Sequence, residues 1–250
     1  MKLINWDCLA EMDKLISEWV KVDAIICDPP YGTTACKWDT IIPFDKMWER
    51  LNKLIKPNWA IVLFGSEPFS SALRMSNIKQ YKYDWVWDKK KAGNIFLAKH
   101  QPMKTFENIL VFSKNKHNYF PIMTPRDKVK KSKNYGTGEA IGGNGIKEDK
   151  VYTYTEKYPV AILEFSNASQ RGKIHPTQKP VALMEYLIKT YTQEWELVLD
   201  FTMWSWSTGV ACVNTNRDFI WIELDEWYYK IGCDRILNNP LQIFAKNKEI

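Results

Sequence analysis

The amino-acid sequence predicts an α/β fold in which a mostly parallel sheet carries helices on both faces. Two observations carry that prediction. Short apolar runs, such as 22–27 and 60–64, alternate along the chain with segments of helical period, and strand–helix alternation of this kind builds parallel sheets. The run 60–64 is unbroken and 22–27 is interrupted only by Asp23, near-continuous apolar runs of the kind that strands covered on both faces show. With 250 residues, 45% of them hydrophobic and 14% aromatic, the chain can bury a substantial core.

In order, residues 3–8 read as a short strand entering a turn, and Leu9, Met12, Leu15 and Ile16 as the apolar stripe of a helix. Residues 22–27 form a buried strand that ends at Asp28. Phe44, Met47, Trp48, Leu51, Leu54 and Ile55 recur at three- and four-residue steps, a helical face that stops before Pro57. A strand at 60–64, a helix at 67–75 and strands at 83–87 and 107–112 follow. Pro180 opens a helix through Val181, Leu183, Met184, Leu187 and Ile188. The last elements are a strand at 196–200, a helix through Val210, Ala211 and Val213, and a strand at 218–223.

The formal charge of +6 permits a polyanionic partner without requiring one, so its distribution decides. From Lys89-Lys90-Lys91 to Lys130, Lys131 and Lys133, positive charges outnumber acids and are interleaved with Phe96, Phe106 and Tyr119. That suits phosphate contact, and a solvated lysine surface fits it equally well. Residues 134–145 concentrate the chain's glycines without an apolar period, and these glycines follow no strand, so they read as a loop rather than a dinucleotide cradle. The five cysteines show no Cys-x-x-Cys pair, which points to reduced thiols and no metal site. No run approaches a membrane span and residues 1–7 lack the apolar region of a signal peptide, so a cytoplasmic location without membrane partners is expected.

The chemistry concentrates in Asp28-Pro29-Pro30-Tyr31-Gly32, at the end of a buried strand, where open α/β sheets put their sites. Two prolines fix φ and remove two donors, which stiffens the loop and leaves its carbonyls to accept hydrogen bonds. A carboxylate, a carbonyl and an aromatic face together suit a planar ring bearing an NH2 group, such as a flipped-out adenine. Taken alone, four residues also read as an ordinary proline-rich turn.

Asp-Pro-Pro-Tyr after an apolar strand resembles the catalytic motif of the amino-methylating DNA methyltransferases, and its position ahead of the cofactor motif resembles their β arrangement. The resemblance implies a Rossmann-like, S-adenosylmethionine-dependent methyltransferase fold. Residues 1–113 would be the catalytic half, 114–172 a target-recognition insert and 173–250 the cofactor half. It implies methyl transfer to N6 of adenine in double-stranded DNA, in preference to N4 of cytosine, where Ser commonly replaces Asp. The catalytic residues would be Asp28, Pro29, Pro30 and Tyr31.

The implied cofactor residues are Asp7 and Cys8, then Lys179 and Pro180 of the segment His175-Pro176-Thr177-Gln178-Lys179-Pro180, then Asp200, Phe201, Thr202, Met203, Trp204, Ser205, Trp206, Ser207 and Thr208, and finally Glu223 and Leu224. Glu223 stands at the spacing where an acid meets ribose hydroxyls; Asp7 reads equally well as a helix N-cap. Lys37, Trp38, Lys89, Lys90, Lys91, Lys130 and Lys131 are the expected DNA contacts, with residues 33–39 read as a mobile loop. A homodimer, a cognate restriction endonuclease and a bacterial or phage source accompany the resemblance.

One feature departs from that family. Glycines normally occupy the positions of Trp204 and Trp206, where they permit backbone geometry closed to other residues and close approach to a ligand. The same substitution recurs at Trp6, Trp59, Trp195 and Trp221, and less clearly at Trp19 and Trp227, whereas Trp38, Trp48, Trp85 and Trp87 look ordinary. The chain has 11 glycines in 250 residues, against an average of about 7%. Two readings follow: a codon such as UGA, decoded here as Trp, is Gly in the source, or the chain is a DNA-binding pseudoenzyme whose pocket is plugged by Trp204 and Trp206.

Overall fold

The computed structural model describes residues 1–34, 36, 39–134, 148–167, 178–203 and 206–237. It contains two compact units, one of residues 1–120 with 161–250 and one of residues 121–160. In chain order the strands are β1 (Lys2–Asn5), β2 (Val22–Cys27), β3 (Ile55–Gly65), β4 (Tyr81–Asp88), β5 (Phe106–Phe112), β6 (Thr124–Asn134), β7 (Glu148–Lys157), β8 (Ile162–Glu164), β9 (Leu197–Asp200) and β10 (Asp218–Glu223). The helices are α1 (Cys8–Ser17), α2 (Phe44–Leu54), α3 (Phe69–Ser76), α4 (Val181–Tyr191), α5 (Ser207–Asn214) and α6 (Glu226–Leu237).

The larger unit is built on one sheet of order β1-β10-β9-β2-β3-β5-β4-β8. Its strands from β1 to β3 are parallel, β5 runs antiparallel to both β3 and β4, and β8 is parallel to β4. Alternate side chains point to opposite faces of a strand. Ala24, Ile26, Val62, Phe64 and Val111 therefore pack with Leu183, Leu187 and Ala211 of α4 and α5. Ile25, Cys27, Ile61, Leu63 and Leu110 pack on the other face with Met12, Leu51 and Leu73 of α1, α2 and α3. All six residues of β2 are buried, and its one charged residue, Asp23, is paired with Lys56 at 2.7 Å. This is the mostly parallel, doubly covered sheet that the sequence predicts.

The pairing of β2 with β9, Ala24 beside Val198 and Ile25 beside Leu199, brings two distant motifs together at the C-terminal ends of neighbouring inner strands. The loop after Asp28 and the loop after Asp200 leave adjacent strands, and Thr202 Oγ1 donates to the Asp28 carbonyl at 3.1 Å across 174 positions.

Several boundaries differ from the sequence reading. β3 begins at Ile55, so Trp59 lies in a strand and the left-handed residue of the expected turn is Asn58 (φ 63°). Described flanks of the expected insert at 114–172 belong to the larger unit: the Asn118 and Phe120 N–H groups donate to the carbonyls of Asn58 in β3 and Thr190 in α4, each at 2.8 Å, and β8 pairs with β4. The smaller unit pairs β6 with β7 antiparallel. Its charged sequence hides those strands from a hydrophobic-period search. Most of the glycine-rich stretch at 134–145 lies outside the described residues. No described helix is long and apolar enough to cross a membrane.

Candidate active site

Asp28 leaves the buried end of β2 and enters the proline loop, whose shape is set by a residue that the sequence reading passed over. Asp39 Oδ1 accepts the backbone N–H groups of Tyr31 (2.7 Å) and Gly32 (2.9 Å), and its Oδ2 accepts those of Thr33 (2.9 Å) and Thr34 (2.7 Å). Burial would raise this carboxyl's pKa, but these hydrogen bonds outweigh it and hold it below the ordinary value. Gly32 sits at φ 65° with Ile41 2.8 Å from where its Cβ would be, so the turn needs glycine there. Thr33 and Thr34, the start of the segment 33–39 expected to be mobile, are therefore anchored with Tyr31 and Gly32; Lys37 and Trp38 lie outside the described residues.

A buried ion network surrounds Asp28. Its Oδ1 accepts the Tyr31 hydroxyl at 2.5 Å and its Oδ2 the Lys179 ammonium at 2.6 Å. Lys179 Nζ also pairs with Glu107 Oε2 at 3.3 Å, and Lys89 Nζ with Glu107 Oε1 at 3.1 Å. The ammonium of Lys179 lies over the rings of Phe64, Tyr31 and Trp87 at 5.1, 5.9 and 5.9 Å. Two lysines thus balance two carboxylates, but not evenly. Burial raises the pKa of Asp28 against the pull of Lys179. Burial also acts upward on Glu107, yet Lys179 and Lys89 together hold its pKa below the ordinary value. Burial disfavours the charge on Lys179, and Asp28 and Glu107 overcome it. Asp28 is therefore the carboxyl closer to taking a proton, while Glu107 stays anionic.

Asp28 is 16% exposed, toward a cavity of ≈ 670 Å3 that it lines with Pro29, Pro30, Tyr31, Ser66 and Asn94. A carboxylate offers about four lone-pair sites; Tyr31 and Lys179 take two, so acceptor capacity remains. The Tyr31 ring stacks on Phe69 with centroids 5.0 Å apart. A second cavity of ≈ 690 Å3 is lined by Asp7, Cys8, Leu9, Phe201, Thr202, Glu223 and Leu224 among others, and Pro30 borders both.

The expected cofactor residues divide between the two cavities and the core. Asp7, Cys8, Phe201, Thr202, Glu223 and Leu224 border the second cavity. Asp7 is at the same time the N-cap of α1, its Oδ1 accepting the Ala10 N–H at 2.9 Å. Lys179 lies at the Asp28 carboxylate and borders the first cavity, where Asp28 and Glu107 compensate its buried charge. Pro180 is the N-cap of α4; Met203 and the α5 N-cap Trp206 are buried ahead of α5, and Ser207 and Thr208 in its first turn. His175, Pro176, Thr177, Trp204 and Ser205 lie outside the described residues.

Asp200 organises the loop from within. Its Oδ2 accepts the Thr208 hydroxyl at 2.6 Å and its Oδ1 the Thr202 N–H at 3.2 Å. Burial pushes its pKa up to about 7. An acid whose folded pKa exceeds its unfolded value of about 3.9 favours the folded state at low pH and loses that contribution as pH rises through the folded value. We expect Asp200→Asn to remove this loss of stability between about pH 4 and 7. Urea midpoints of both proteins at acid and mildly alkaline pH check it, and parallel pH curves would count against it.

The expected DNA-contact lysines are not alike. Lys89 is bound to Glu107, and Lys90 bridges Asp88 (3.0 Å) and Glu164 (2.9 Å), so neither is a free surface cation. Lys91 lines the first cavity, and Lys130 and Lys131 are exposed on β6 of the smaller unit. Glu107 and Asp39 were missed. For Asp39 a signal existed, a lone acid five residues beyond four consecutive N–H donors; for Glu107, inside an apolar strand, only the unusual placement of a charge.

Comparison with known proteins gives a consistent result. A DNA methylase family profile matches residues 22–233. The DNA adenine methyltransferase YhdJ of Escherichia coli (strain K12) is 27% identical over 251 residues, which cover 94% of this chain and 82% of that protein. The Type II methyltransferase M1.MboII of Moraxella bovis is 26% identical over 269 residues, covering 97% and 98%. Among solved structures, the M1.HpyAVI–SAM complex superposes with a TM-score of 0.65 at 26% identity, covering 95% of this chain and 99% of that one. The cytosine-N4-specific PvuII DNA methyltransferase reaches the same TM-score at 16% identity, covering 97% and 89%, a likeness of fold.

Proposed function

Since the chain belongs to the DNA methylase family of N6 and N4 amino-methyltransferases, we propose that it methylates the N6 amino group of adenine in double-stranded DNA. The observation that carries this reading is the Asp28 carboxyl, held at a strand end between Tyr31 and Lys179 and open to a cavity. A target base must leave the helical stack to reach such a site. Asp28 and the Pro29 carbonyl accept the two amino hydrogens, which aims the nitrogen lone pair; the Tyr31 ring, backed by Phe69, supports the base. The raised pKa of Asp28 suits it to take the proton that the methylated nitrogen releases. The choice of adenine is supported by Asp at the first motif position and by the likeness to the adenine methyltransferase YhdJ.

S-adenosylmethionine, the group that the M1.HpyAVI complex holds, supplies an activated methyl. The second cavity fits it chemically. Asp7, Glu223, Asp225 and Glu226 place carboxylates around apolar walls from Leu9, Ile41, Ile42 and Phe201, a lining suited to ribose hydroxyls and a cationic sulfonium. Pro30, which borders both cavities, marks where the two reactants would meet. In this reading the unit of residues 121–160 selects the DNA sequence, and Lys130 and Lys131 contact phosphates.

Incubation with duplex DNA and methyl-labelled cofactor, followed by digestion to nucleosides, tests the reading. We expect label in N6-methyldeoxyadenosine. Label in N4-methyldeoxycytidine instead would overturn the choice of base while leaving the family assignment intact.

A further inference from the structure

The tryptophans of this chain fall into two physical classes. Trp48, Trp85 and Trp87 are buried, and each indole N–H has an acceptor: Ser76 Oγ at 2.8 Å, the Tyr191 hydroxyl at 2.7 Å and the Phe165 carbonyl at 2.8 Å. Buried tryptophans ordinarily find such a partner. Trp206 and Trp221 are as deeply buried, at 2% and 1% exposure, yet neither Nε1 finds an acceptor among the described residues. Such an orphaned donor is uncommon in a native core.

The backbone gives a second signature, shared by Trp206 and absent from Trp48, Trp85 and Trp87. Six described non-glycine residues have positive φ, and three of them are Trp19 (58°), Trp195 (69°) and Trp206 (51°), although Trp makes up only 12 of 250 residues. Two of the others are Asn58 and Asn216, of the type that tolerates this region, whereas a bulky side chain there is an outlier.

Trp19 shows most directly what the position requires. It follows the C-cap Glu18 of α1, its N–H donates to the Ile16 carbonyl and the Val20 N–H to the Leu15 carbonyl, both at 3.0 Å. That is the Schellman pattern, whose left-handed residue is usually glycine. The indole gains little in return, being 86% exposed; that of Trp195, in the turn before β9, is 76% exposed.

We propose that residues 19, 195, 206 and 221 are glycine in the protein its source makes, and that residues 48, 85 and 87 are tryptophan. One reassigned codon, UGA read as glycine, accounts for all four sites, where separate substitutions would each need their own cause. Trp6, Trp59 and Trp227 carry neither signature, and Trp38 and Trp204 lie outside the described residues. At position 206 glycine keeps the left-handed entry to α5 without strain and takes an indole out of the loop whose Phe201 and Thr202 border the second cavity.

Peptide masses of the protein isolated from its source, read beside its gene, test the proposal. The expected result is Gly at 19, 195, 206 and 221, encoded by one codon, and Trp at 48, 85 and 87, encoded by another. Trp at the first four positions, or a single codon at all seven, overturns it. Neither readout needs methyl transfer, so the proposal fails or stands apart from the functional reading. Thermal melting of the chain as printed gives a second measurement: Trp19→Gly should raise the midpoint by several degrees and Trp48→Gly should lower it. A fall with Trp19→Gly would remove the backbone argument.

Discussion

Asp28→Asn should lower the rate of methyl transfer by a factor on the order of 10² to 10⁴, the range for a positioned acid–base group, with cofactor binding little changed. The side chain lines the first cavity and not the second, so the two effects separate. The amide keeps the shape but replaces one acceptor oxygen with a donor, which meets the target's amino hydrogens with like polarity. Tyr31→Phe is the informative neighbour. It removes the 2.5 Å hydroxyl bond to Asp28 while keeping the ring, so we expect a modest rate loss and unchanged affinity for DNA. Tyr31→Ala also removes the stacking surface, a contact worth about 1–3 kcal/mol per base in single-strand binding proteins, and should weaken the DNA complex. Single-turnover methylation with separate titrations of DNA and cofactor reads all three. If Asp28→Asn turned over at the parental rate, the assignment of the first cavity to the target base would be lost.

The parts of this architecture visible in the sequence are those that hydrophobic order encodes locally. β2, α2, α4 and β10 were legible because burial on one or both faces leaves a run or a stripe. α6 was not anticipated: Trp227, Tyr228 and Tyr229 stand side by side and blur any helical face. β6 and β7 were hidden because pairing along a charged ribbon needs no apolar alternation. The proline loop could be read because its chemistry lies within five consecutive residues. The groups around it could not, since Lys179 meets Asp28 across 151 positions and the packing of α4, which follows Lys179, against β2 brings them together. The segment around Lys179 reads in the sequence as a neighbour of the cofactor; its ion-pair partners in the structure are Asp28 and Glu107.

Lys179→Met should destabilise the fold by about 3–5 kcal/mol, the cost typical of removing one partner from a buried ion pair, and the loss should grow with pH. Lys179 is 5% exposed and, among the described residues, is the cation bonded to both Asp28 and Glu107. Without it the two carboxylates face each other through a low-dielectric space lined by Phe64 and Trp87, with Lys89 left to compensate Glu107 alone. At least one carboxyl, Asp28 first, then binds its proton more tightly in the folded state than in the unfolded one. Stability lost this way is restored below the unfolded carboxylate pKa of about 3.9 and declines as pH rises through the raised folded value. The gap between variant and parent therefore widens from acid to neutral pH. A second substitution separates charge from packing: Glu107→Gln in the Lys179→Met background removes the unbalanced anion, and should recover much of the loss although it adds no contact. Equal midpoints for Lys179→Met and the parent across pH, or no recovery in the double variant, would show that the ion network does not hold the Asp28 carboxyl in place.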